Sequence, residues 1–420
     1  MKAKWVVRAL LLFVVYAAAM FVYIFISDNS GVPETLRGTV ADPSTFMSQR
    51  ELYLSEGYSK TRNFLYFIMT PFEWLIYLVI LLTGLSRLFE RAGQKSSKWA
   101  AGQTTVYLLF LTFTASLVML PLRYVSYWVS KQYGLSTQPV SEWLKHHAID
   151  LCFDFGWSFI TVSIIYFFIR RSVKRWWMYV WMATIPLMLF YSFVKPEIID
   201  PLYNDFTPIE NKQLEEKILA LADQAGIPAE HVYEVKMAGQ TNTMNAYVTG
   251  IGSNTRIVLW DTTLQQLSEG EILFVMAHEM GHYVKKDVYR GMILYFAITF
   301  VSFWIVAKLM NHIIRKYGKP LRIERLEAIH SLPLYLLLSS VVLFASDPLS
   351  NMVSRHEENL ADQYALELIG NEKDAISTFQ ALAKTSLSET NPPLLVKWFR
   401  YSHPPLIDRI YNVKKQEKKE

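Results

Sequence analysis

A single cysteine, Cys152, occurs among the 420 residues. One thiol excludes an internal disulfide and any cysteine-rich metal centre. Charge is also scarce: 19% of the residues are Asp, Glu, Lys or Arg, against roughly a quarter in a soluble domain. The chain has no Gly-rich phosphate loop, no nucleic-acid motif and no internal repeat at a fixed period, so no nucleic-acid partner is expected. The net charge of +5 and the terminal KKQEKKE fit solvated or headgroup-facing ends.

The shortage of charge is local. Apolar runs lie near residues 5–26, 64–86, 104–122, 150–169, 176–194, 289–311 and 331–349. Each has about the 20 residues that carry a helix across a hydrocarbon core. Lys2, Lys4 and Arg8 precede the apolar core of the first run, as in a signal peptide. Its core is too long for one, and FISDNSGVPE offers no small-residue cleavage site, so a retained span is expected. Glu73 and Asp154 lie within spans two and four, where a charge is costly in lipid. An interior polar cavity and a position near the interface both suit them.

Two mixed segments remain, 195–288 and 350–420. In the first, NKQLEEKILALADQAGI reads as an amphipathic helix ended by Gly226 and Pro228. HVYEVKM, NAYVTGI and RIVLWDT read as short strands. The second segment reads as mostly helical. Two spans separate the segments, so both meet on one face of the membrane. The resulting divisions are 1–194 (five spans), 195–288 (the first mixed segment), 289–349 (a two-span hairpin) and 350–420 (the C-terminal helical segment).

Within the apolar stretch LFVMAHEMGHYVKKD, 273–287, stand His278, Glu279 and His282. On a helix, positions i and i+4 share a face, so both imidazoles leave the same side. This HExxH arrangement lets two histidines hold zinc while the glutamate acts as general base toward water. A catalytic zinc needs a third protein ligand and an open position. NMVSRHEENLADQYALELIG is the place to seek it. By spacing alone Glu357, Glu358, Asp362 and His356 all compete. Glu358 and Asp362 share a helix face, which suits one carboxylate on the metal and the other on a ligand imidazole. Asp287, shortly after His282, suits a ligand buttress or an exposed helix end equally. Arg355 is a weak candidate for pairing with a buried carboxylate.

The chain resembles the type I CAAX prenyl endopeptidases, integral-membrane zinc metalloproteases that process isoprenylated C-termini. The resemblance rests on YGLSTQ (133–138), IIDPLYNDFTPIEN (198–211), NAYV (245–248), RIVLWDTTL (256–264), AHEMGH (277–282), SRHEENLAD (354–362) and YSHPPLIDRI (401–410). It implies an all-α multi-span membrane protein of about seven transmembrane helices with a small α+β zinc-metalloprotease domain, and one Zn2+ per chain. It selects Glu358 as the third ligand and Asp362 as the residue behind a ligand. It also implies that Asn245 lies on an edge strand pairing with the substrate backbone. His403 and Arg409 are then expected to face the scissile carbonyl or the substrate carboxy-terminus. The implied partners are peptide or protein C-termini, prenylated in the family's case, and the lipid bilayer. Related four-span quality-control metalloproteases, acting on damaged membrane proteins, share the HExxH and the later glutamate but lack the five leading spans and the IIDPLYNDFTP stretch. Such a role is the alternative within the same class. A transporter or scaffold with a structural zinc is the alternative of another class. It would need a fourth protein ligand and no glutamate base.

Sidedness is open. The basic loops 87–98, 170–175 and 315–325 lie with the N-terminus on one side and both catalytic segments on the other. Charge bias places basic loops in the cytoplasm, whereas the resemblance implies a cytosolic active site. A multi-pass position in the membrane, the plasma membrane if the host is bacterial, is expected either way.

Overall fold

The computed structural model describes residues 2–27, 31–194, 205–250 and 255–417. The membrane half begins with α1 (Lys2–Phe21), α2 (Gln49–Thr83), α3 (Leu85–Ser96), α4 (Ala100–Gln132), α5 (Val140–Arg171) and α6 (Trp176–Val194). A mixed unit follows: β1 (Phe206–Pro208), α7 (Lys212–Gln224), β2 (Val232–Val235), β3 (Ala246–Thr249), β4 (Arg256–Trp260), α8 (Asp261–Gln266) and α9 (Glu269–Lys285). The chain continues through α10 (Asp287–Leu321), α11 (Leu332–Ile369), α12 (Glu372–Ser386), α13 (Leu394–Phe399) and α14 (Leu406–Glu417).

Among the described residues, six stretches are long and apolar enough to cross a membrane: Lys4–Ile26, α2, α4, α5, α10 and Ile329–Ile369. They carry six of the seven expected runs. The run 176–194 is the continuous helix α6, which is not among those six. Leu12, Phe113, Phe167, Phe190 and Ile293 are exposed on these helices, as lipid-facing side chains are in a bilayer. Opposite faces of α2, α4, α5, α10 and α11 close on one apolar core that includes Ile80, Tyr107, Ile165, Met310 and Leu338. This is a multi-span integral membrane protein with a small mixed sheet unit. Of the two acidic residues noted in spans two and four, Glu73 Oε1 accepts a hydrogen bond from the Tyr77 hydroxyl at 2.9 Å, while Asp154 is exposed.

The sheet has the order β1-β2-β4-β3, and only its β2–β4 pair is parallel. The three expected strands are present as β2, β3 and β4. β1 is additional: its three residues end in proline and carry no alternation that sequence reading could detect. The amphipathic helix is α7, and Gly226 follows it at φ +70°, a left-handed conformation that glycine adopts without a Cβ clash. The YGLSTQ stretch ties the membrane region to this unit. Thr137 N donates to Gln240 O at 3.1 Å, and Asn242 donates to Leu135 O and Gly134 O. Residues 198–204 of IIDPLYNDFTPIEN, and residue 251 at the end of NAYVTGI, lie outside the described residues.

α11 has no break at residue 350. It runs 38 residues from the apolar run through the acidic stretch, with Pro348 inside it. The expected boundary at 349/350 therefore cuts a continuous helix. α10 leads away from the sheet unit and α11 returns to it, so α9 and the C-terminal half of α11 lie side by side. This arrangement predicts sidedness relations that labelling can check. Single cysteines at Ser172, Lys212 and Lys415, with Cys152 replaced, are expected to divide into two classes with a membrane-impermeant maleimide. Positions 212 and 415 should react together or be protected together, and 172 should behave oppositely. Opposite behaviour of 212 and 415 would contradict the shared face.

Candidate active site

α9 starts at Ser268, whose N–H donates to Glu271 Oε2 at 2.8 Å, and Glu269 and Glu271 stand in the first turn. Both features stabilise a helix N-terminus. Ile272, Met276 and Met280 pack toward β4 and α7. Phe274 and Ala277 pack toward Phe379, Ala365 and Ile410. With apolar contacts on both flanks, the stripe holding His278 and His282 faces α11.

The two helices approach very closely. A Cβ on Gly281 would lie 3.1 Å from Ala361 Cα and 3.3 Å from Ala361 Cβ. Two small residues at this crossing set Glu358 and Asp362 against the histidines. Sequence reading missed Gly281, whose only signal is its place inside the HExxH stretch. Gly281→Ala is expected to push α9 and α11 apart by a few tenths of an ångström. Weaker metal binding with an unchanged circular dichroism spectrum would be the signature; unchanged metal affinity would contradict the role.

His278 Nδ1 lies 2.9 Å from Asp362 Oδ1, and His282 Nδ1 lies 2.8 Å from Asp287 Oδ2. Each carboxylate is placed to accept a hydrogen bond from Nδ1–H, which leaves the Nε2 lone pairs free to point inward. The two Nε2 atoms are 3.2 Å apart. Glu358 Oε2 stands 3.3 Å from the first, and Oε1 stands 3.4 Å from the second. Glu358 Oε2 is buried and makes no hydrogen bond. Three acceptors thus converge on one point, which is unfavourable without a cation between them. Burial lowers the pKa of His278, but the bonded carboxylates of Asp362 and Glu358 raise it further, to about 10. A bound divalent cation would take the place of that proton. The donor set and its spacing fit a metal ion.

The other expected residues surround this point. Glu279 is half-buried in a cavity of about 220 Å³ that His278, His403, Arg409 and Asn245 also line. Burial raises its pKa above the ordinary carboxylate value, opposed by the two histidines. Asn245 is exposed immediately before β3, and among the described residues β3 is an edge strand paired only with β4. His403 Nε2 lies 3.2 Å from Glu358 Oε1, and Ser402 Oγ lies 3.0 Å from its Nδ1. Though open to water-sized contact, His403 is hemmed in by the chain, and that burial holds its pKa below the ordinary imidazole value.

Three placements refine the sequence reading. Asp287 is a buried buttress of His282, because the left-handed Lys286 (φ 60°) breaks α9 from α10 and turns Asp287 back toward the site. Arg355 pairs with no carboxylate among the described residues. It donates to the carbonyls of Lys397 at 2.9 Å and Tyr401 at 2.6 Å, tying α11 to the chain that leads to His403. Arg409 is buried over the Phe379 ring, and Nε and Nη2 both bond Asp362. The edge expected to meet a substrate carboxylate is therefore already occupied.

The chain is similar to known proteins along its whole length. Residues 208–417 match Peptidase family M48, and residues 23–205 match the CAAX prenyl protease N-terminal region of five membrane helices. The uncharacterized metalloprotease YhfN of Bacillus subtilis is 46% identical over 99% of this chain and 97% of its own. A CAAX prenyl protease 1 homolog of Arabidopsis thaliana is 27% identical over 92% of this chain and 91% of its own. The crystal structure of S. mikatae Ste24p shares the fold, with a TM-score of 0.78 at 22% identity and 98% coverage of both chains. A histidine pair and a glutamate converging on one point at the end of a membrane hairpin, within a match spanning residues 208–417, make this chain a membrane metalloprotease belonging to peptidase family M48.

Proposed function

We propose that the protein is a zinc endopeptidase that cuts near the C-termini of membrane-associated peptides, with prenylated CAAX-type termini as the leading substrate class. The observation that supports this most is the convergence of His278, His282 and Glu358 within 4.8 Å of one another, beside an open edge strand and a carboxylate that is not a ligand. A tetrahedral zinc with bonds of about 2.0–2.1 Å sets its ligand atoms about 3.3 Å apart. The observed separations are 3.2, 3.3 and 3.4 Å. No fourth protein ligand joins this group among the described residues, which disfavours a purely structural zinc.

Zinc at this centre would supply Lewis-acid chemistry, acidifying water and polarising a peptide carbonyl. The remaining work falls to the protein. The substrate backbone adds to the β3 edge at Asn245, as extended peptides add to exposed strands. Glu279 takes a proton from the attacking water and returns it to the leaving amine. Its raised pKa suits both directions of transfer. In the His403 tautomer with its proton on Nε2, Ser402 Oγ can donate to Nδ1, and the Nε2–H donates to the carbonyl oxygen as charge develops there. Asp362, held by Arg409, and Asp287 fix the two ligand imidazoles.

His403→Ala is expected to lower kcat by about 10²–10³-fold with metal content unchanged; normal turnover would return SHPP to a helix-start turn. Substrate class is tested by giving the purified protein matched CAAX peptides with and without a farnesyl group. Preference for the farnesylated peptide supports the reading. Equal cleavage of both, or cleavage only of unfolded membrane proteins, would favour a quality-control role.

A further inference from the structure

The cavity beside His403 continues away from the edge strand into a second pocket of about 300 Å³, bordered by Glu389, Arg400, Tyr401 and Leu406. The two pockets share Leu382, His403 and Arg409, so one extended peptide can pass through both. The second is at the lower end of the roughly 300–1,000 Å³ of ligand pockets.

Arg400 is the cation of this pocket. Its Nη1 donates to Asn63 Oδ1, and the wholly buried Asn63 donates its own amide to Glu389 Oε2 at 3.2 Å. Among the described residues no carboxylate forms an ion pair with the Arg400 guanidinium. Burial holds its pKa below the ordinary value, and the nearby Arg62 charge pushes the same way. Arg62 itself donates to Ser126 Oγ on α4. A cation taken from water without a direct counter-ion is costly, and an incoming carboxylate would relieve that cost. Arg409 cannot serve here, since its bidentate edge is closed on Asp362.

We propose that Arg400 binds the free C-terminal carboxylate of the substrate while the scissile bond lies at the His278–His282–Glu358 centre. This rests on the peptidase reading of that centre. It deepens that reading by making a free carboxy-terminus a recognised feature, so that chain ends are selected over internal loops. Guanidinium and carboxylate match as a charge-assisted, two-point pair.

The test uses the full-length, zinc-loaded protein and a short farnesylated peptide ending Cys-Val-Ile-Met, made once with a free carboxylate and once as the C-terminal amide. The wild type is expected to prefer the carboxylate by roughly ten- to a hundredfold in kcat/KM, mostly through KM. Arg400→Gln should bring that ratio near one while leaving cleavage of the amide close to the wild-type rate. Arg400→Lys should keep part of the preference, because it retains charge without the planar fork. Equal cleavage of the two peptides by the wild type would overturn the proposal and leave the peptidase reading standing. So would an unchanged ratio in Arg400→Gln. If that variant does not fold, the wild-type ratio and Arg400→Lys decide. Failure of the wild type to cut either peptide, or their unfarnesylated forms, would overturn both readings.

Discussion

Glu279→Gln is expected to lose peptide hydrolysis, by about 10²–10⁴-fold in kcat, while keeping its metal. The carboxamide fills the same space and cannot accept the proton of the attacking water. The metal should stay because Glu279 is not one of the three converging groups, and their supports Asp362 and Asp287 are untouched. Turnover measured beside metal content separates the roles. Loss of both together would make Glu279 a ligand, and retained turnover would remove it from the chemistry.

Glu358→Ala is expected to release the metal, whereas Glu357→Ala should leave both metal and turnover near wild type. Glu358 is buried, with its two oxygens 3.3 and 3.4 Å from the histidine nitrogens. Glu357 is half-buried and outside the converging group. Replacing an outer partner such as Asp362 by Ala should cost about 10–100-fold in affinity. Losing Glu358 should cost more, since it also leaves two lone pairs facing each other. Metal binding measured on all three variants ranks them. Exchanged behaviour of Glu357 and Glu358 would show the α11 register to be wrong by one residue.

That register marks where sequence reading ran out. His278 and His282 were legible because a helix puts i and i+4 on one face, whatever the fold around them. The third candidate ligand stands on a different helix, and spacing within one helix cannot say which of Glu357 and Glu358 turns toward a neighbour. The resemblance selected Glu358; in the structure the Gly281–Ala361 contact presses that face of α11 onto α9. Asp287 was ambiguous for a related cause, since its position depends on a left-handed residue at Lys286 that no side-chain pattern announces.

The spans were legible from hydropathy, but their ends were not. Hydropathy reports the solvent around a segment rather than its backbone, so α11 seemed to end where it leaves the apolar run. Arg409 and Arg355 show the same limit in their partners. Composition could offer both as cations, yet only the packed structure shows that Arg409 braces Asp362 and that Arg355 caps carbonyls near Tyr401. The pocket cation left for a ligand is Arg400, in a stretch that carried no motif.

The central claim is that a single metal held by His278, His282 and Glu358 makes this chain a peptidase. The most direct measurement is turnover of a CAAX peptide during titration of chelator-stripped protein with zinc. The account predicts no turnover in the stripped protein and recovery in proportion to zinc, ending at one equivalent per chain. Full turnover in the stripped protein, or a fully loaded protein that never cleaves a peptide, would contradict it.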